Sequence, residues 1–492
     1  MSPERVVYLD YAATTPVDPA VAAAMADCLG LAGDFGNPAS IHQFGRLAAA
    51  RVEHARAQVA ELIGGAPEEI VFTSGATESA NLAILGVARA NAHRGRHLVT
   101  SRIEHKAVLD PCKHLEKEGF SVTWLTPDCN GVITADQVRD ALRKDTVLVS
   151  LMQANNEIGV VQDLVDIGAL CRASGILLHT DAAQSVGKIA LDVHKLPVDL
   201  VSFTAHKIYG PKGVGALWIR DGVRLWPVSF GGGQERGLRP GTLATHQIVG
   251  LGEACALAGR LREDEQARIS QLRNRLWSGL QPLGGVHLNG EASARVAGIL
   301  NVSFEGVEGE SLVTGLPQLA VSTGSACNST SGDPSYVLRA LGRDTQLAQS
   351  SLRFSLGRFT TAADVDIAIE AVSREVRSLR AMSPAAWQPS SWGEGSTVVS
   401  GVAGGLGQGA WIRFDLAVEG TIVKDARLWA FGCPHTRAVA SWLAGRLPGR
   451  QREVLIPDSP ADWARVLNVP IEKLGHLFVV EDSLDACLRQ WP

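Results

Sequence analysis

Cysteine is scarce: eight residues in a chain of 492, at 28, 112, 129, 171, 255, 327, 433 and 487, with no CxxC pair and no cluster. That scarcity excludes a disulfide-framed secreted domain and a zinc finger. No apolar run reaches the roughly 18 residues a membrane span needs. The opening MSPERVVYLDYAATTP lacks the apolar stretch of a signal peptide, so a soluble, cytoplasmic protein is expected. Neither charge sign dominates. Lys and Arg total 46 against 51 Asp and Glu, a formal net charge of -5, which argues against a nucleic-acid binder built on a basic surface. The 51 Gly and 22 Pro follow no period and no internal repeat is present, so the chain is not fibrous. Hydrophobic residues at 46% and charged residues at 20% are ordinary globular usage and exclude disorder as the main state. The length fits about three domains.

From residue 60 to about 220, short apolar runs alternate with helical stretches. EEIVFTSG, RHLVTS, SVTWLT, TVLVSLM, ILLHTD, LVSFTAH and GALWIR are strand candidates; ATESANLAILGVARANA and LVDIGALCRASG are helical segments between them. The alternation predicts an α/β fold, a mostly parallel sheet covered by helices on both faces. FGGGQERGLRPG, at 230–241, reads as a loop. A long helix is expected near 246–281, then strands in GILNVSF and LRFSLG and a helix near 362–381, forming a smaller α/β domain. SPAAWQPSSWGEGST, at 383–397, has no periodicity and reads as an interdomain linker. Beyond it, WIRFDLAVEG, TIVKDARLWAFG and the helical HTRAVASWLAGRL predict an α+β domain over 398–492.

Lys207, in SFTAHKIYGPKG, follows a strand among His, Gly and Pro. Loops at the C-terminal ends of parallel strands are where such sheets bind ligands. A lysine there suits Schiff-base chemistry with an aldehyde cofactor such as pyridoxal phosphate (PLP), although a lone loop lysine is most often surface charge. PLP needs a carboxylate for its ring nitrogen, and Asp181 ends ILLHTD; capping the following segment is the plainer role for that residue. PLP also needs a phosphate cradle, and SGATES places Ala76 and Thr77 where a strand turns into a helix. An ordinary helix cap would look the same. His105, in SRIEHKAVLD, offers a flat imidazole. All four features lie at successive strand ends, and their joint occurrence carries more weight than any one of them.

The runs YLDYAATTPVDP, FGNPAS, VFTSGATES, EHKAVLD, NNEIGVVQD, HKIYGPKG, STGSAC, PSYVLRALG and RFSLGRFT resemble the IscS/NifS-type cysteine desulfurases of the class V aminotransferase family. The resemblance spans about residues 6–382. It implies PLP fold-type I: a large domain, about 15–260, around a mostly parallel seven-stranded sheet, and a small α/β domain from the N-terminal segment plus about 261–382. Lys207 would carry PLP, Asp181 would pair with the ring nitrogen, Gln184 would contact the ring's phenolic oxygen, and His105 would stack on the ring. Ala76, Thr77, Thr204 and His206 would hold the phosphate. Thr242 would reach it from a second subunit, so a homodimer is implied. Asn155, near the cofactor, and Arg353 would hold the carboxylate of L-cysteine; Arg suits this because its planar fork engages carboxylates bidentately. Cys327, in STGSACNSTSGDPSY, would take the substrate sulfur as a persulfide and release L-alanine. The sulfur would then pass to acceptor or iron–sulfur scaffold proteins, with Cys327 open to sharing a cluster with a scaffold partner. Neither nucleic acid nor membrane is required. Selenocysteine lyase, cysteine-sulfinate desulfinase and an inactive assembly platform are rival readings. Cys327 weighs against the first two, and retention of Lys207, Asp181 and His105 beside it weighs against the third.

Residues 398–492 resemble a divergent IscU-type scaffold, on VEGTIVKDARLWAFGC and VPIEKL…VVED. Of the scaffold's cluster ligands only Cys433 is kept. Leu406, Gln408 and His476 stand near the other positions, too few good ligands for a cluster. SufE-type sulfur acceptors share that fold and use one cysteine in a strand–Gly-Cys–helix turn. Cys433 therefore reads either as a sulfur acceptor or as a relic in a docking domain.

Overall fold

The computed structural model describes residues 6–323, 334–388, 392 and 397–492. Seven strands form its central sheet, in the spatial order Ile70–Thr73, Gly215–Ile219, Leu200–Thr204, Leu177–Asp181, Thr146–Ser150, His97–Ser101 and Ser121–Leu125. Gly215–Ile219 runs antiparallel to both neighbours and the other pairings are parallel, so the expected fold class is the observed one. Most of these strands are buried along their whole length, as sheets clad on both faces require. One apolar cluster, including Val59, Phe72, Leu178, Phe203 and Trp218, fills one face. A second, including Leu82, Val87, Leu98, Leu115 and Leu148, fills the other.

The helix expected near 246–281 spans Thr245–Leu280 and leads into a three-stranded antiparallel sheet of Val286–Leu288, Ile299–Phe304 and Ser351–Ser355. Helix Ala362–Ala381 covers it, with Leu276, Leu300, Phe354 and Val372 in one core. The N-terminal Val7–Tyr8 pairs in parallel with Leu319–Ala320, tying the chain's start to this unit.

Residues beyond the family-like part build a third core. Strands Thr397–Gly405, Ala410–Glu419 and Ile422–Phe431 form an antiparallel meander, backed by helices Pro434–Ala444, Pro460–Val466 and Leu474–Arg489 around Phe414, Trp463 and Leu477. The first of these strands, TVVSGVAGG, was not among the sequence expectations. Trp387 ties the preceding segment to this unit: its Nε1–H donates to Asp415 Oδ2 at 3.2 Å, and the Arg413 guanidinium lies 3.8 Å from its ring centroid.

Candidate active site

The C-terminal ends of the parallel strands converge on one cavity of about 570 Å³. Thr73 ends its strand and Gly75 opens helix Ala76–Ala90 with no side chain capping the first turn. The first amides of this four-turn helix are therefore left to an external acceptor, and its dipole favours an anion. Gly215 makes the turn possible: a Cβ there would lie 2.7 Å from Gly75 Cα. Ala76, Thr77, Thr204, His206, Lys207 and Lys212 line the cavity around this turn. Thr204 Oγ1 donates to Val214 O at 3.1 Å, and His206 Nδ1 lies 3.2 Å from Thr14 Oγ1. Burial, then the charges of Lys207, Lys212 and Lys188, push the His206 imidazole down to about 4, so it is neutral at pH 7.

Asp181 closes its strand at 6% exposure, one oxygen accepting the Ala183 N–H at 2.9 Å. Burial raises its proton affinity, while that amide, His105 and Lys207 oppose the rise. Such a carboxylate favours a cationic partner. His105 caps helix Lys106–Lys117, its Nδ1 accepting the Ala107 N–H at 3.1 Å. That leaves the ring proton on Nε2, and burial keeps the ring neutral despite the pull of Asp181. Lys207 Nζ donates to Ala12 O at 2.5 Å and to Ala13 O at 2.7 Å. Gln184 Nε2 donates to the same Ala12 carbonyl at 2.9 Å. An uncapped helix start, a buried carboxylate and an amine lining one cavity fit PLP's phosphate, ring nitrogen and aldehyde.

Ala76, Thr77, His105, Asp181, Gln184, Thr204, His206, Lys207 and Arg353 thus line one cavity. Asn155 sits between Ala154 and Asn156, which both line it. Its Nδ2 donates to Ile103 O at 2.9 Å and its Oδ1 accepts the Glu157 and Ile158 amides at 2.8 and 3.0 Å, so the side chain is spent on holding its own turn. The neighbouring Asn156 lines the cavity, with a buried Oδ1 that has no hydrogen-bond partner among the described residues. Arg353 reaches Asp10 Oδ1 at 2.8 Å and Asn156 O at 2.9 Å, while its buried Nε has no partner among the described residues. Thr242 lines a different cavity, beside Arg56 and Glu235, and not the one holding Lys207. Cys327 lies outside the described residues. Asp10, Thr14, Lys212 and Ser322 also line the site. Sequence reasoning missed them because each is a single polar residue in a loop.

A second cavity, of about 530 Å³, lies between the small sheet's unit and the C-terminal unit. Leu406, Gln408, Cys433, Lys473 and His476 line it from one side, Glu310 and Gln349 from the other, together with Thr323 and Pro334. Cys433, 1% exposed, starts helix Pro434–Ala444; its Sγ lies 3.2 Å from Thr436 Oγ1 and 4.0 Å from His476 Nδ1. Among the described residues, no group of three or more His, Cys, Asp or Glu side chains could hold a metal ion.

Comparison with known proteins agrees with this geometry. The family model described as Aminotransferase class-V matches residues 7–367. The chain is therefore a PLP-dependent enzyme of that class. Over 381 residues it is 57% identical to the cysteine desulfurase IscS of Enterobacter sp. (strain 638), covering 77% of this chain and 94% of that one. The IscS of Aeromonas hydrophila subsp. hydrophila is 58% identical over the same length and the same shares. Among solved structures, a NifS-like protein superposes with a TM-score of 0.71 at 38% identity, covering 76% of this chain and 99% of that one. DndA from Streptomyces lividans gives 0.61 at 42%, covering 71% and 99%. The chain belongs to the IscS-type cysteine desulfurases.

Proposed function

We propose that this chain desulfurates L-cysteine at the Lys207 cavity and moves the sulfur along its own length, from Cys327 to Cys433. The observation that carries the first half is the convergence of Lys207, Asp181, His105, Gln184 and the uncapped helix start on one cavity. PLP, when bound there, supplies an electron sink for the amino acid's bonds. The residues supply the rest. Lys207 would hold the cofactor and move the substrate's α-proton, Asp181 would pair with the ring nitrogen, and Gln184 would contact the ring's phenolic oxygen. Ala76, Thr77, Thr204 and His206 would anchor the phosphate, and neutral His105 would stack on the ring. Arg353 and Asn156 hold the substrate carboxylate. Cys327 takes the sulfur: the substrate C–S bond breaks, a proton replaces sulfur on carbon, and an S–S bond forms at Cys327. No outside oxidant or reductant is needed.

The second half rests on the other cavity, which brings Thr323 and Pro334, the residues on either side of the 324–333 segment, together with Cys433. The Cys433 thiolate attacks the outer sulfur of the Cys327 persulfide, a new S–S bond forms at Cys433, and Cys327 leaves as thiolate. His476 is placed to take the Cys433 proton. In this reading residues 398–492 are a divergent IscU/SufE-like domain working as a tethered acceptor. Gln408 and Leu406 at two former ligand positions favour it over a cluster scaffold.

A homodimer completes the first site by bringing a partner's Thr242 to the phosphate. Thr242 lies outside its own chain's Lys207 cavity, and Leu31, Ile41 and Phe230 stand 91%, 90% and 85% exposed. The compartment we assign is the cytoplasm, and the onward partners are iron–sulfur scaffolds or other thiol acceptors. The test is peptide mass spectrometry of the PLP-loaded protein after turnover of L-cysteine. Sulfane sulfur should appear on Cys327 and Cys433 in the parent and on Cys327 alone in Cys433→Ser. Equal amounts on the C-terminal domain of both would sink the acceptor role; none on either cysteine would sink the desulfurase chemistry assigned to Cys327.

A further inference from the structure

One buried amine has no part in the scheme above. Lys188 lies four residues beyond Gln184, in the turns that follow strand Leu177–Asp181, and its Nζ lies 2.7 Å from Gln184 Oε1. Among the described residues no carboxylate pairs with it. Its aliphatic stem lines a small cavity behind the active site, shared with Tyr11, Ala12, Lys207, Tyr209, Glu265 and Arg358. Glu265, the nearest acid there, is held at 2.5 Å by Arg358, which also holds Asp18 at 2.6 Å. Tyr11 and Tyr209 are kept protonated mainly by burial. Lys188 therefore faces an amide oxygen and other cations.

This contact settles which way Gln184 points. Ala12 O can only accept, and it already takes hydrogens from Gln184 Nε2 and Lys207 Nζ. An ammonium can only donate, so Lys188 must meet the amide oxygen. With both ends fixed, the second Gln184 N–H is left for the cavity that Gln184 lines. We propose that Lys188 is a positioning residue of this site: it locks the Gln184 carboxamide with its N–H pair toward Ala12 and the cofactor cavity, and it sets a cation behind Lys207. The proposal rests on the PLP reading of the Lys207 cavity.

A charge there acts on its neighbours. Burial, then Lys207 and Arg353, push the Lys188 ammonium down to about 7. The repulsion is mutual, so protonated Lys188 makes a proton at position 207 harder to hold. Removing the cation should raise the pH at which the holoenzyme's visible cofactor band titrates. The expected rise is about one unit, as for two cations in a partly screened interior.

The experiment compares Lys188→Met, Lys188→Gln and Lys188→Arg, each loaded with PLP, by absorbance titration and by kcat and KM. Both neutral variants should move the midpoint upward, and Lys188→Arg, charged at every pH, should leave it at or below the parent value. Lys188→Gln keeps a donor for Gln184 and should retain more kcat than Lys188→Met. If Lys188→Met fails to fold, Lys188→Gln alone carries the charge test. A midpoint at the parent value in the neutral variants would overturn the proposal, whatever happens to kcat. A parent protein with no visible band would instead overturn the PLP reading beneath it.

Discussion

Asn155 and Asn156 are adjacent and identical, yet their side chains have opposite duties. Asn155→Ala would strand two buried amides and one carbonyl that its side chain now satisfies. Unmet buried groups of this kind cost about 1–3 kcal/mol each, so denaturant unfolding should show a loss of at least about 2 kcal/mol. Asn156→Ala removes an oxygen that has no hydrogen-bond partner among the described residues. It should raise KM for L-cysteine while leaving the unfolding midpoint nearly unchanged; the reverse pattern would make Asn155 the ligand. The sequence could not separate the two, because facing is decided by a tight turn and not by residue type. The same holds for Lys188, which in DAAQSVGK reads as a solvated lysine. Lys207, Asp181 and His105 were legible because each ends a strand or follows one within a few residues. Glu104, beside His105, adds a pH effect. Burial raises its carboxyl to about 8 against the Ser101 and Met152 hydrogen bonds it accepts. The unfolded chain releases that proton near its ordinary value, so between about pH 4.5 and 8 the folded state binds more protons. Stability therefore falls as pH rises through that window and is lost above it. Glu104→Gln should flatten the decline, gaining on the parent most at alkaline pH; parallel stability curves for the two proteins would refute the assignment.

At the scale of elements, the phosphate turn depends on a strand it does not belong to. A Cβ on Gly215 would meet Phe203 O at 2.5 Å and Gly75 Cα at 2.7 Å, both backbone and unable to rotate away. Gly215→Ala should shift the turn before helix Ala76–Ala90. Strain of this kind runs to about 1–3 kcal/mol, and it should appear as a roughly ten-fold or greater weakening of PLP binding, measured by equilibrium dialysis. Undiminished affinity would show that the turn tolerates movement. All seven strands of the large sheet were legible in the chain as short Val-, Ile-, Leu- or Thr-rich runs, because burial on both faces leaves little room for polar residues. Strand Thr397–Gly405 was not legible, and its neighbour explains why. A Cβ on Gly401 would sit 1.9 Å from Ser483 O, since helix Leu474–Arg489 lies directly on the strand. The glycines that make it resemble a linker are the condition for that packing.

The whole molecule joins two cavities through a docked interface. Ser311 Oγ donates to Gly432 O at 2.9 Å, beside Cys433, and Lys473 Nζ pairs with Glu310 at 2.7 Å. These contacts seat the C-terminal unit on the small sheet's unit of the same chain, and the cavity between them has walls from both. The proposed sulfur path is therefore within one chain, even in the proposed dimer. Chain mixing decides this. Differently tagged chains, one Cys327→Ser and one Cys433→Ser, are co-expressed, and the mixed species is isolated by both tags. One chain keeps the donor and the other the acceptor. After turnover of sulfur-labelled L-cysteine, transfer within a chain leaves Cys433 of the Cys327→Ser chain unlabelled, while parent protein labels it. Label at half the parent level or more in the mixed species would place donor and acceptor on opposite chains. Low free L-cysteine and a short quench keep released sulfide from imitating transfer, and the Cys327→Ser protein alone sets that background.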